Sequence, residues 1–271
     1  MMSGNSRVIF SVYKEVNDNS VTDYKKEQLK LYKDKLIKRH HDYAKFCGAD
    51  YFVYENNNQI TDEYNSIQFF KIEQLEILSK KYNEVLYLDL DIIPFKFVNF
   101  FKQHDLSKIC CYRQNGEEWG LRRYFKEWNM YEHLDSLDSQ NWWVKSCSKN
   151  AMLLLDNHKE FNNMLVNTAV IGGNRESISK LKFKENLNYM LDLIEQSKHD
   201  NIYPKQLHQF FIPNNEVFFS YLIEKNNVPI LELNKEWNFI IDDFDPDWEN
   251  IIFLHLINKH FEKYEKKFNI F

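Results

Sequence analysis

Glycine and proline are scarce, with 6 and 5 in a chain of 271 residues. So few of either exclude a flexible linker or a collagen-like segment. Cysteine is sparse as well: Cys47, Cys110, Cys111 and Cys147 form no CxxC pair. Four thiols without that spacing cannot make a disulfide framework for a chain this long and leave no zinc-ligand pair, so reduced thiols in a cytosolic protein are expected. No apolar run reaches the roughly 20 residues of a membrane span, and the run near the N-terminus, "RVIFSVYK", is too short for a signal peptide. The expectation is a soluble cytoplasmic protein with no transmembrane segment. A basic surplus is missing too, since 35 Lys and Arg face 40 Asp and Glu for a net charge of -5. No nucleic-acid partner is expected, and an anionic substrate has to be attracted by a local device. Aromatic residues, by contrast, are abundant at 16%, within a hydrophobic share of 44%. A chain of this length can bury a substantial core.

The first hundred residues alternate in pattern. Arg7 to Lys14 reads as a buried strand, and Asp23 to Phe46 carries Leu29, Tyr32, Leu36, Ile37, Tyr43 and Ala44 at helical spacing, with Gly48 at the expected stop. Asp50 to Glu55 is a second strand, "SIQFFKIEQLEILSKKY" a second helix, and "VLYLDLD" a third strand. Strand, helix, strand, helix, strand predicts parallel strands covered by helices, with a ligand crevice beyond their carboxyl ends. The remainder is less regular. "KICCYR" reads as a strand, followed by a Trp-rich region from Trp119 to Trp143, and "MLVNTAVIGGN" as a strand ending in a glycine turn at Gly172 and Gly173. Helices are expected in "LKFKENLNYMLDLIEQSKHDN" and "NEVFFSYLIEKNN", a short strand in "VPILEL", and a strand or loop feeding a basic tail in "IIFLHLINKHFEKY".

Asp89 and Asp91 close the third strand with one leucine between them. Burying an unpaired carboxylate is costly, so a strand this apolar is expected to deliver the pair to a cleft. Two carboxylates one residue apart can meet one cation if the chain bends there. Oxygen ligands favour Mg²⁺ or Mn²⁺, with positions left for phosphate oxygens. The alternative is a solvated pair of turn residues. Such a metal would supply the local attraction that the acidic whole lacks.

The stretch "IQFFKIEQLEILSKKYNEVLYLDLDIIPF" resembles nucleotide-sugar glycosyltransferases of the GT-A fold, which carry a DxD motif after a hydrophobic strand. "HHDYAKFCGADYFVYE" is similar to a segment of their glycogenin-like and α-galactosyl- and α-mannosyltransferase-like groups. The resemblance implies an α/β, Rossmann-like mixed sheet flanked by helices. It also implies a single domain over 1–271, with a nucleotide-sugar-binding half (1–100) and an acceptor-side half (101–271). It further implies that Asp89 and Asp91 hold Mn²⁺ or Mg²⁺ and the donor diphosphate, and that Ser11, Val12 and Tyr13 lie near the donor base. Lys71 would face the nucleotide, or be a solvated helix lysine. "FLHLINKH" is similar to the segment supplying a third metal ligand and a phosphate contact, implying His255 and Lys259, although the Gly, Pro and Trp of the glycogenin-like pattern are missing.

"NTAVIGGN" resembles the strand lining the sugar pocket, which implies Asn167 as a donor-sugar or acceptor contact, with Ala169 in place of the usual glycine. Asn215 and Glu216 open a helix that resembles one reaching the reacting centre; helix capping is the other reading. Trp119, Trp142 and Trp143 could stack on an acceptor sugar or pack in the core. Arg113 and Glu117 follow a strand end and could contact donor or acceptor. The implied reaction is transfer of a hexose from a UDP- or GDP-sugar to a hydroxyl of a carbohydrate or glycoprotein, with a lean towards retention of configuration and inversion with Glu216 as general base as the alternative. Two rivals remain. A haloacid dehalogenase-type phosphatase would use Asp89 as nucleophile, but Ile92, Ile93 and Pro94 lack its usual continuation and its strand comes first rather than third. A non-catalytic carbohydrate-binding protein could also keep such a fold.

Overall fold

The computed structural model describes residues 6–16, 21–56, 60, 64–114, 142–159, 162–199, 203, 205–241 and 247–268. Strand β1 (Arg7–Tyr13) is followed by helix α1 (Asp23–Cys47), β2 (Asp50–Glu55), α2 (Tyr64–Ser79) and β3 (Glu84–Leu88). Helix α1 begins at Thr22, whose side chain accepts from the Lys25 amide, and stops at Gly48, which takes the left-handed φ of 65° that glycine adopts without penalty. Its buried stripe is Tyr32, Leu36, His40, Tyr43, Ala44 and Cys47, spaced as one face of a helix. A histidine thus occupies a core position.

β4 (Ile92–Pro94), α3 (Phe100–Gln103), β5 (Ile109–Gln114), α4 (Trp142–Leu155), β6 (Leu165–Asn174) and α5 (Arg175–Ser179) come next. They are followed by α6 (Phe183–Ser197), α7 (Lys205–His208), α8 (Asn215–Lys225) and β7 (Ile230–Glu232). A 3-10 turn (Lys235–Trp237), β8 (Phe239–Ile240), β9 (Phe253–His255) and α9 (Phe261–Phe268) complete the described chain. Among the described residues, no helix is long and apolar enough to cross a membrane.

The fold is mixed α/β. Six strands form one sheet in the order β2-β1-β3-β6-β5-β7, and β4, β9 and β8 form a second, small sheet. β1 pairs parallel with both β2 and β3, as the alternating pattern predicts. β6 then runs antiparallel to β3, which makes the sheet mixed. Nine of the ten residues of β6 are buried, as in a strand covered on both faces.

Gly172 and Gly173 lie inside this strand, opposite Leu86 and Val85, and not in the turn expected from their pairing in sequence. The reason is space: a Cβ on Gly172 would stand 2.3 Å from the Phe100 ring, and one on Gly173 would stand 2.8 Å from Ser177 Oγ. The segment after β9 is also corrected: it forms α9, whose Phe261 and Tyr264 are buried, in place of a basic tail.

By its internal contacts the chain forms two compact units. The first comprises Met1–Tyr112, Ala169–Ser179 and Ile230–Phe271, the second Arg113–Thr168 and Lys180–Pro229. The first unit contains two apolar clusters. One is built around Ile9, Tyr43, Leu86, Phe100 and Phe253, the other around Leu36, Ile93, Leu254 and Phe261. In the second unit α4 packs on α6 and α8. The fully buried Lys149 of α4 donates to the carbonyls of Asn162 (2.6 Å) and Met164 (3.1 Å) and pairs with Glu224, which satisfies its charge inside the unit. Cys110 and Cys147 are buried and desolvation pushes both thiols up to about 12, so they are inert.

Candidate functional site

The third strand ends at Leu88, and Asp89 to Asp91 form a turn closed by the Ile92 amide donating to the Asp89 carbonyl at 3.0 Å. The Asp89 amide itself donates to the Ala169 carbonyl of β6 at 2.8 Å. This bend places the two carboxylates side by side at the strand's carboxyl end, where open α/β sheets present ligand-binding residues. Immediately beyond it, β4 pairs antiparallel with β9 in a register that sets Ile92 opposite His255. The Leu256 amide also donates to the Asp91 carbonyl at 3.2 Å. Asp89, Asp91 and His255 thereby form a group whose ligand atoms all lie within 4.8 Å of one another.

Two ammonium groups attend the carboxylates. Lys71 of α2 is 1% exposed, which rules out a solvated helix lysine, and its Nζ lies 3.1 and 3.3 Å from the two oxygens of Asp89. Its ammonium also sits 5.1 Å from the Tyr87 ring centroid, and the Tyr87 hydroxyl donates to Asp89. Lys259 pairs with Asp91 from the turn after β9, where its backbone takes a φ of 60°. A left-handed conformation costs a non-glycine residue about 1 kcal/mol or more. Burial works to raise the Asp91 pKa, but the charge of Lys259 and its contacts with His255 outweigh it and hold the carboxyl well below the usual range.

His255 is oriented by Asn238, whose Oδ1 lies 2.8 Å from Nδ1. With Nδ1 donating to that oxygen, Nε2 is left as the atom facing Asp91 Oδ2, at 3.4 Å. A carbonyl oxygen fixing one ring nitrogen while the other faces a carboxylate is the arrangement that orients a metal-binding histidine. Two carboxylates and an imidazole nitrogen make a donor set that can hold a metal ion.

The remaining expected residues are placed as follows. Ser11 is fully buried and its hydroxyl lies 2.9 Å from His40 Nδ1, while Val12 and Tyr13 are buried at the end of β1. In the second unit, Glu216 is paired by Lys145 at 2.7 Å and accepts from Asn167 Nδ2 at 3.1 Å. Asn215 donates to Thr168 Oγ1. The cap of α8 is Asn214, whose side chain accepts from the amides of Glu216 and Val217, so Asn215 and Glu216 fall in the first turn. Trp142 and Trp143 open α4, and Arg113 lies in β5. Trp119 and Glu117 lie outside the described residues.

Sequence reasoning did not single out Lys145, Asn238 or His40. Lys145 and Asn238 carry no local signal, because their partners lie 71 and 17 residues away. His40 had one: it stands four residues after Leu36 on the apolar stripe of α1.

No protein-family model matches the chain, and no curated protein matches it. Solved structures are similar in shape. A glycosyltransferase involved in glycosylation of the major capsid of PBCV-1 is 10% identical, with 98% of this chain and 99% of that one covered and a TM-score of 0.49. Mouse xyloside xylosyltransferase 1 is 11% identical, with 94% and 99% covered and a TM-score of 0.43. The galactosyltransferase LgtC, solved with donor and acceptor sugar analogs, is 10% identical, with 92% and 87% covered and a TM-score of 0.39. At such identities and scores no activity transfers to this chain, and the chemistry of the Asp89, Asp91 and His255 group has to carry the functional reading.

Proposed function

We propose that the protein is a metal-assisted glycosyltransferase moving a hexose from a UDP- or GDP-sugar to a hydroxyl of a carbohydrate or glycoprotein. The observation that carries this reading is the charge pattern at the strand end. Two carboxylates and an imidazole converge within 4.8 Å, and Lys71 and Lys259 already balance the two carboxylates. A divalent ion added to that set leaves a net positive site suited to a diphosphate. Asp89, Asp91 and His255 would hold Mn²⁺ or Mg²⁺, which when bound supplies positive charge to the diphosphate oxygens of the leaving nucleotide. Lys259 is positioned on Asp91 and is assigned the diphosphate; Lys71 holds Asp89 ionised and in place. Glu216 and Asn215 are assigned to the reacting centre, with Glu216 orienting the acceptor hydroxyl or acting as base, and Asn167 is assigned a sugar contact.

The test is a thermal-shift panel of UDP, GDP and ADP, each with and without Mn²⁺, joined to assays of donor hydrolysis. The largest stabilisation is expected when nucleotide and ion are both present, because every ligand that binds the folded state adds to its stability. Asp91→Asn is expected to lose the shift and at least about 100-fold in turnover, beyond the tenfold to 100-fold that an outer partner of a metal site is worth. Unchanged turnover in Asp91→Asn or in EDTA would overturn the reading. Release of phosphate from a phosphate monoester with Mg²⁺ would favour a phosphatase instead.

A further inference from the structure

The imidazole of His40 is wholly buried in α1, on a stripe that elsewhere carries apolar or aromatic side chains and a cysteine. A buried imidazole has to be hydrogen-bonded, and both ring nitrogens of His40 have partners. Its Nε2 contacts the Ile92 carbonyl, which can only accept, so Nε2 carries the proton. Nδ1 is then the acceptor for the Ser11 hydroxyl at 2.9 Å. One end of this chain is thus β1 and the other is the first residue after the aspartate pair.

Ile92 is where the three candidate ligands meet through the backbone. Its amide closes the turn on the Asp89 carbonyl, it follows Asp91 directly, and it stands opposite His255 in the β4–β9 register. The neighbouring Arg39 extends the grip along β4, with Nε donating to the Pro94 carbonyl at 2.9 Å and Nη2 to that of Phe95 at 3.2 Å. α1 therefore holds the backbone of β4 by two consecutive side chains.

We infer that His40, oriented by Ser11, is a positioning residue that sets Asp91 and His255 relative to Asp89 and so tunes divalent-ion affinity from behind the site. Ser11 acts here as the orienter of an imidazole, a different role from a contact to the donor base. The inference rests on the metal-site reading proposed above. A ligand geometry fixed by outer hydrogen bonds typically loses about tenfold to 100-fold in metal affinity when they are removed.

The experiment measures Mn²⁺ binding by electron paramagnetic resonance and calorimetry, with and without UDP, for the wild type, His40→Leu, His40→Gln and Ser11→Ala. Melting temperatures are recorded alongside, and each titration is made where the variant is folded. His40→Leu is expected to weaken Mn²⁺ binding about tenfold or more and to alter the zero-field splitting of the bound ion. Ser11→Ala should weaken it roughly threefold or more. His40→Gln, whose amide can donate in place of Nε2, should recover to within about threefold of wild type. A purely structural role would lower the melting temperature yet leave the affinity and the spectrum of the folded protein unchanged, and that result overturns the inference. If His40→Leu does not fold, Ser11→Ala decides by the same criterion. A wild type that binds no Mn²⁺ with or without UDP would instead remove the metal-site reading, and this inference with it.

Discussion

At the scale of single residues, buried ionisable groups set the pH response. Desolvation lowers the pKa of His40 to about 4; its bond to the Ile92 carbonyl and the charges of Asp91 and Asp89 oppose that shift, and Arg39 reinforces it. Between pH 6.5 and 4 the unfolded chain binds a proton at this ring that the folded chain does not, so stability must fall as pH is lowered through that window. The loss amounts to about 3 kcal/mol at 1.36 kcal/mol per unit. Urea denaturation of the wild type and His40→Gln from pH 7 to 4 measures it, and the wild type should lose stability relative to the variant as the pH falls.

The Lys145–Glu216 pair, with side chains 10% and 12% exposed, gives a second case. Lys145→Met leaves a largely buried carboxylate without its ammonium and should destabilise by about 3 kcal/mol, whereas replacing both members with apolar residues should cost far less. Denaturant midpoints of the single and double variants check this. Of these residues, Asp89 and Asp91 were legible in sequence because two acids at the end of an apolar strand break its pattern. Lys145 was not, because a lysine in a helix has the same local signature whether it is solvated or paired.

At the scale of elements, periodicity and cap chemistry carried the first hundred residues well. The strand and helix alternation, the stop at Gly48 and the parallel pairing of the first three strands all follow from local pattern. β6 shows the limit. A Gly-Gly pair after an apolar run has the composition of a turn, yet here it continues a strand because the Phe100 ring and the Ser177 hydroxyl need the room. Gly172→Ala should therefore destabilise by about 2 kcal/mol through overpacking, and Phe100→Leu should restore part of that loss in the double variant. Thermal unfolding of the three proteins tests the coupling. Nothing in the local sequence names Phe100 as that partner.

At the scale of the molecule, the first compact unit is assembled from three separate stretches of chain. A fragment ending at residue 112 would lack the β6 partner of β3 and the β9 partner of β4, leaving apolar edges unpaired. Such a fragment is expected to aggregate or to show no cooperative unfolding by circular dichroism, and a sharp two-state transition would refute this. It would also lack His255 and Lys259, so no Mn²⁺ binding is expected of it.

The sequence by itself determined what local forces determine: the α/β alternation, the ends of the early helices, the scarcity of reactive thiols, and a pair of acids at a strand's carboxyl end. Hydrogen-bond caps and side-chain period act over a few residues and leave their mark there. Only the tertiary structure decided which cations meet those acids, with Lys259 reaching Asp91 across 168 residues. It also made β6 an antiparallel strand and gave His40 a carbonyl to hold. Those outcomes depend on which surfaces exclude water together, and that is settled by packing between distant segments rather than by any segment alone.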